Sequence, residues 1–231
     1  MSISIIIFCY NEGENLASVI SSVINLLIGR FIDYEIIIVD DGSTDHTFKI
    51  CSKFADQNSK IRVVRHAQNR GIGMALRSGY ELAKHEYVCA IPGDGQFDIN
   101  ELIPVKPFSK NIFYSFYRPK TQYSFYRSSL TWLNRLFNQH VLGVYLRDVN
   151  WIKVYRREQI EIAGPVLKSS LIESEICAKL YKMGIMPIEI PSVYHIRNFG
   201  VSKGGSWKTL RQAIADTYKL WRVVSSFKQT L

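Results

Sequence analysis

The chain has 231 residues, 47% of them apolar and 21% charged, so it can bury one sizeable core and is not disordered. A formal charge of +9 favours anionic partners, phosphorylated substrates or an acidic membrane face; with no run of five like-signed residues, nucleic acid is not an expected partner. Cys9, Cys51, Cys89 and Cys177 show no CxxC or Cys/His ligand spacing, which speaks for a reducing cytosol and against a disulfide framework or a structural zinc.

Residues 3–9 (ISIIIFC) form a continuous apolar, β-branched run, the pattern of a strand covered on both faces. Leu16, Val19, Ile20, Val23, Ile24 and Leu27 recur at helical spacing and predict a helix over 14–27. A second strand, 34–39, ends in Asp40-Asp41-Gly42, and Ser43 or Thr44 is placed to cap a helix over 47–57. A strand at 61–65 is followed by Asn69-Arg70-Gly71 and a helix over 72–84. A fourth strand, 87–91, runs into Pro92-Gly93-Asp94-Gly95. The order βαβαβαβ is that of a doubly wound, mostly parallel α/β sheet flanked by helices, whose site lies beyond the carboxyl ends of the strands.

The second half is less regular. Asp98 and Glu101 have capping-box spacing before a short helix, 111–117 reads as a strand, 129–142 as a helix and 151–155 as a strand. A helix over 173–182, a strand over 185–190 and a basic, amphipathic terminal helix over 207–227 complete the chain. No linker or repeat divides it, and no stretch has the length of a spanning helix or the layout of a signal peptide.

Phe8-Cys9-Tyr10-Asn11-Glu12, Val39-Asp40-Asp41-Gly42-Ser43-Thr44-Asp45 and Gly93-Asp94-Gly95-Gln96 resemble, in order and spacing, the PxYNE, VDDGSxD and DxDGQ motifs of family 2 glycosyltransferases. Arg147-Asp148, Glu173-Ser174-Glu175 and His195-Ile196-Arg197 leading to Val201-Ser202-Lys203 extend the resemblance to dolichol-phosphate mannose synthases and undecaprenyl-phosphate sugar transferases. The resemblance implies the GT-A fold in a single domain over 1–231, with a nucleotide-sugar half (1–98) and an acceptor half (99–231). It further implies transfer of a hexose, with inversion, from a UDP- or GDP-sugar to a polyprenyl phosphate. A hydroxyl of a glycan is the alternative acceptor, and a non-catalytic nucleotide-sugar-binding module the alternative from another class.

The chemistry explains the residue types. A nucleotide sugar offers a base, a ribose and a diphosphate, and strand-end carboxylates accept hydrogen bonds from imide N–H and hydroxyl groups. Asp41 is the candidate for the base, Tyr10 for stacking nearby and Glu12 for the ribose, with Arg70 and Asp94 also on the donor; Asp45 is read as a helix cap. Departure of a nucleoside diphosphate calls for neutralisation of developing charge, which a Mg²⁺ or Mn²⁺ ion supplies. By resemblance Asp94, also a catalytic candidate, and Gln96 would hold it, while Pro92 replaces the first acid of the motif and puts the metal in doubt.

Arg118, Arg127, Arg197 and Lys203, with Ser202, match positions that gather acceptor phosphate in the resembled group, for which the planar guanidinium fork is well suited. Arg127 reads equally as a solvated surface charge. Asp148 is the acceptor-side catalytic candidate: a general base if the acceptor is a hydroxyl, an orienting group if it is a phosphate, whose second ionisation at about 6 leaves it an oxyanion. His195 is read as a hydrogen-bonded structural residue, and the glycine-rich stretch 200–205 as a loop that closes over the diphosphate. The terminal helix suits either a membrane interface or packing on the sheet. The expected location is the cytoplasm, with peripheral contact at the cytoplasmic membrane face directly or through a membrane-protein partner.

Overall fold

The computed structural model describes residues 1–119, 125–195 and 207–228, with side chains described outside 125–131, 133 and 207–214. β1 (Ser2–Cys9), α1 (Gly13–Leu27), β2 (Asp33–Asp40), α2 (Thr47–Gln57), β3 (Ile61–Arg65), α3 (Ile72–Leu82) and β4 (Tyr87–Pro92) reproduce the predicted alternation almost residue for residue. They are followed by β5 (Ile112–Tyr117), α4 (Phe125–His140), β6 (Lys153–Arg156), α5 (Arg157–Ala163), α6 (Ile172–Lys182), β7 (Met186–Pro191) and α7 (Trp207–Ser226). The strands form a seven-stranded sheet in the order β3-β2-β1-β4-β6-β5-β7. β3, β2, β1 and β4 pair in parallel, as do β5 and β7, whereas β6 runs antiparallel to both β4 and β5.

Alternation of side chains across the sheet divides the core in two. Ile3, Ile5 and Ile7 face Leu16, Ile20 and Val23 of α1, while Ile6, Ile37 and Val39 face Ala75 and Leu76 of α3. On that second side Ile176, Cys177 and Leu180 of α6 continue the layer, and Leu220 and Val224 seat α7 against it. Both layers are closed, which is why the strands read as unbroken apolar runs.

The differences from expectation have local causes. α4 begins four residues earlier than predicted and β6 two residues later, and α5 was not foreseen because only seven residues carry it. The segment after Asp98 is a single 3-10 turn (Ile99–Leu102). Asp98 caps it, accepting from the Asn100 N–H, but Glu101 closes no box: its carboxylate accepts the Val193 N–H 2.9 Å away. At α2 the N-cap residue is His46, and the side chain that meets the first turn is Asp45, which accepts the Thr47 N–H at 2.9 Å, rather than Ser43 or Thr44.

α3 meets the loop before α6 backbone to backbone at Gly73, where a Cβ would lie 2.1 Å from the Ser169 carbonyl oxygen. Neither side is a movable side chain. Gly73→Ala is expected to destabilise the protein by about 3 kcal/mol, within the overpacking range. Gly143→Ala, where φ is +70° but the space is open, is expected to cost only about 1 kcal/mol of backbone strain. Paired urea denaturation curves with unchanged slope test the difference.

Candidate active site

Because β6 is reversed, the segment that enters it lies at the same edge as the carboxyl ends of β1, β2, β4, β5 and β7. The loops expected to meet donor and acceptor therefore share one edge of the sheet, where open α/β sheets arrange their ligands.

On the donor side, the loops after β1 and β2 are stitched together. Asn11 sits in left-handed backbone (φ 53°), donates its N–H to Ser43 Oγ (2.9 Å) and accepts the Thr44 N–H at 2.8 Å. Glu12 N–H donates to Thr47 Oγ1 at 2.9 Å, and Asp45 Oδ2 accepts the Gly13 N–H at 3.3 Å. Tyr10 and Glu12 are half-buried at the head of this loop, the Glu12 carboxylate accepting from Asn15 Nδ2 at 3.1 Å.

Asp41, 3% exposed, is the centre of the donor end. Its Oδ1 accepts the Arg70 N–H (2.9 Å) and meets His66 Nδ1 (2.6 Å), and its Oδ2 accepts the Gly71 N–H (2.8 Å). His66 Nε2 in turn lies 2.9 Å from Ser78 Oγ of α3. A carboxylate oxygen accepts along two lone pairs, so these bonds leave Oδ2 a direction for a ligand N–H. Arg70 takes part through its backbone, its guanidinium being exposed. Gly42 (φ +73°) permits the loop to close, since a Cβ there would meet the Gln68 carbonyl carbon at 2.4 Å. His66 was not singled out from sequence; a histidine directly after the third strand of such a sheet was the available signal.

Asp40, fully buried beside it, accepts the Ser43 N–H at 3.0 Å, with Arg65 Nε 3.2 Å from its other oxygen, and so shapes the turn.

After β4, the Gly93 N–H donates to the Phe8 carbonyl, and Asp94, 6% exposed, accepts the Gln96 N–H at 3.0 Å. Gln96 Nε2 donates to the Tyr194 hydroxyl, and its carbonyl accepts the His195 N–H at 3.1 Å. Among the described residues there is no cluster of three or more His, Cys, Asp or Glu side chains suited to a metal. One carboxylate and one amide oxygen fit a hard cation that takes its remaining ligands from diphosphate and water.

Arg118 and Asp148, both expected on the acceptor side, are partners. Arg118 Nε donates to Asp148 Oδ2 at 2.7 Å, both side chains being largely buried, and the guanidinium lies 4.2 Å from the Trp151 ring centroid and 5.7 Å from that of Tyr194. Asp148 Oδ1 accepts the Asn150 N–H at 3.2 Å, and Trp151 Nε1 donates to Ser192 Oγ at 2.8 Å. Sequence reasoning missed Trp151 and Tyr194, which read as strand and loop residues until the fold placed them under Arg118. The backbone of Arg127 lies in α4, its side chain outside the described set; Arg197, Ser202, Lys203 and the stretch 200–205 lie outside the described residues.

Glu173 and Glu175 are structural. Glu173 accepts from the hydroxyls of Tyr80 (2.6 Å) and Tyr155 (2.8 Å), whose ionisation is pushed well up by burial and then by nearby acidic groups. Glu175 accepts from the Val166 and Leu167 N–H groups and from Lys179 Nζ.

A mostly parallel sheet with carboxylates at its carboxyl strand ends and an arginine held at the same edge places a ligand site there. The family model for glycosyl transferase family 2 matches residues 4–179, and the chain belongs to that family. It is 36% identical over 110 residues to the poly-beta-1,6-N-acetyl-D-glucosamine synthase of Staphylococcus epidermidis, covering 47% of this chain and 26% of that protein. It is 23% identical over 224 residues to the dodecaprenyl-phosphate galacturonate synthase of Rhizobium johnstonii, covering 91% of this chain and 64% of the relative. Thus the chain spans between a quarter and two thirds of the length of these curated relatives. In fold it matches glucosyl-3-phosphoglycerate synthase of Mycobacterium tuberculosis, solved with Mn²⁺, UDP-glucose and phosphoglyceric acid, at a TM-score of 0.67 and 20% identity over 96% of this chain and 80% of that one. The fold is GT-A, as the motifs implied.

Asp45 gives the donor loops a pH dependence. Burial pushes its carboxyl up, but hydrogen bonds from the Thr47 side chain and from the Thr47 and Gly13 N–H groups outweigh this and hold it below its usual value of 3.8. A depressed carboxylate stabilises the fold above its unfolded value and loses that contribution as pH falls through the folded one. Asp45→Asn is therefore expected to flatten the fall of stability below pH 3.8 and to leave its pH dependence near neutrality unchanged, as read from melting temperature against pH.

Proposed function

We propose that this protein is a hexosyltransferase that moves a sugar from a UDP- or GDP-sugar to a polyprenyl phosphate. The single observation that carries the acceptor is the Arg118–Asp148 pair. Asp148 has one oxygen on Arg118 and the other on a backbone N–H, and Arg118 is stacked on Trp151. Such an end presents a fixed cation in place of an unengaged base. It suits an acceptor that arrives already as an oxyanion, as a phosphate monoester does near neutral pH. The acceptor oxygen forms the bond to the anomeric carbon while the bond to the diphosphate breaks, the electron pair leaving on the nucleotide; inversion follows from this single displacement. The likeness over most of the chain to a protein named for dodecaprenyl-phosphate supports the same reading.

The donor rests on Asp41, Tyr10 and Glu12, with Asp94 and Gln96 facing the diphosphate. A bound Mg²⁺ or Mn²⁺ would supply neutralising charge there. Asp94 and Gln96 would be its protein ligands, and with Pro92 in place of a second acid its affinity is expected to be low.

Among the described residues no helix is long and apolar enough to cross a membrane. α7 offers a peripheral contact instead. Tyr218 (65% exposed) and Trp221 (45% exposed) pair on its outer face at 5.9 Å, with Lys219 and Arg222 exposed beside them. Aromatic and basic groups together suit an anionic interface.

Incubation with labelled UDP- and GDP-sugars, a short-chain polyprenyl phosphate and Mg²⁺ or Mn²⁺ tests the reading. Label in the organic phase that EDTA abolishes is expected. Arg118→Ala should lower kcat/KM for the lipid phosphate by about 100-fold with the nucleotide Kd unchanged, the loss of a charge-assisted contact. Label transferred to glycan hydroxyls alone, with Asp148→Asn inactive, would instead make Asp148 the base. Nucleotide binding without transfer or donor hydrolysis would leave a binding module. Sedimentation with anionic vesicles, weakened by salt and by the pair Tyr218→Ala and Trp221→Ala, checks the α7 contact.

A further inference from the structure

Lys153, the first residue of β6, is 3% exposed. Its ammonium donates to the carbonyls of Val149 and Trp151, the latter at 2.9 Å, and no carboxylate pairs with it among the described residues. Lys179, also buried, has Glu175 at 2.6 Å. A buried ammonium held by neutral carbonyls alone is strongly disfavoured against water, so a hydrophobic side chain would serve the fold at least as well.

What the lysine holds accounts for it. Val149 and Trp151 bracket a turn whose other contacts include Asp148 on Arg118, the Asn150 N–H on Asp148, Trp151 under the Arg118 guanidinium and Trp151 Nε1 on Ser192 Oγ. Two carbonyls two residues apart that point at one nitrogen repel each other, and without a cation between them the turn would rotate them towards water. Lys153 shares the sheet face of Tyr155, two residues on, and so sits on the α6 side, opposite to Val154. Its cross-strand partner there, Ser115, has a buried hydroxyl with no hydrogen-bond partner.

We propose that Lys153 is a positioning residue for the acceptor site: it clamps the 148–151 turn and thereby sets Asp148 and Trp151, two of the groups that hold Arg118. The proposal rests on Arg118 as the ligand of the acceptor phosphate. It predicts that the lysine contributes to catalysis and not to the stability of the fold.

Lys153→Met, of similar length and without charge, should raise KM for short-chain polyprenyl phosphate by about tenfold or more, because a small misplacement of a positioning group is costly. Nucleotide Kd should be unchanged and the melting temperature should stay within about 4 °C of wild type. Lys153→Arg, whose fork can reach both carbonyls, should restore the acceptor KM to within about threefold. An unchanged acceptor KM in Lys153→Met, equal impairment in Lys153→Arg, or a Lys153→Met protein that melts far lower and loses nucleotide binding would each overturn the proposal. If the wild type does not use polyprenyl phosphate, it is the acceptor reading that fails. The role of Lys153 is then read in a crystal structure of Lys153→Met, where an Arg118–Asp148 pair still at 2.7 Å would overturn it and an opened pair would support it.

Discussion

A strand entering the sheet in the common direction would carry its preceding loop to the far edge, away from the donor loops. β6 enters from the site edge instead, pairing antiparallel with β4 through Cys89↔Val154 and with β5 through Ser115↔Lys153. That reversal puts residues 148–151 beside the ends of β5 and β7, so Arg118, Trp151 and Tyr194 stack in one place. The Gln96 amide on the Tyr194 hydroxyl then ties the same stack to the loop after β4. The loops after β4, β5 and β7 and the segment before β6 are thus joined through hydrogen bonds and a cation–aromatic contact across the end of one sheet.

The two ends solve the problem of buried charge differently. At the donor end a carboxylate, Asp41, is compensated by two backbone N–H groups and His66, which draws the chain after β3 over the end of β2. At the acceptor end a guanidinium is compensated by Asp148 and by aromatic faces. A buried polar group left without partners is costly, so each set of partners also fixes geometry. The consequence is preorganisation: Asp41, Arg118 and Asp148 are held in fixed geometry by the protein's own groups.

Much of this was legible in the chain itself. Apolar β-branched runs ending in Asp40-Asp41-Gly42 and Gly93-Asp94-Gly95 announce a parallel sheet with carboxylates at its edge, because strands buried on both faces have little other way to be written. Their periodicity placed α2 and β3 to the residue. The second half resisted, since β6 is four residues long and α5 seven, too short for periodicity to register. The glutamates of Glu173-Ser174-Glu175, matched to the family by spacing, turned out to brace α3, α6 and the loop before α6.

Sequence by itself determined the family and the carboxyl strand ends at which Asp41 and Asp94 lie, because short-range pattern specifies which strand end a residue occupies; Arg118 and Asp148 were reached through the family resemblance. Only the tertiary structure decided what each of them touches. That Asp148 is engaged by Arg118 and that Asp41 is clasped by the loop after β3 are contacts between distant segments, and that Lys153 turns its ammonium back onto the nearby carbonyls of Val149 and Trp151 follows from its burial in the sheet. The first of these depends on the direction in which β6 joins the sheet, and strand direction is set by the packing of whole elements rather than by any local run of residues.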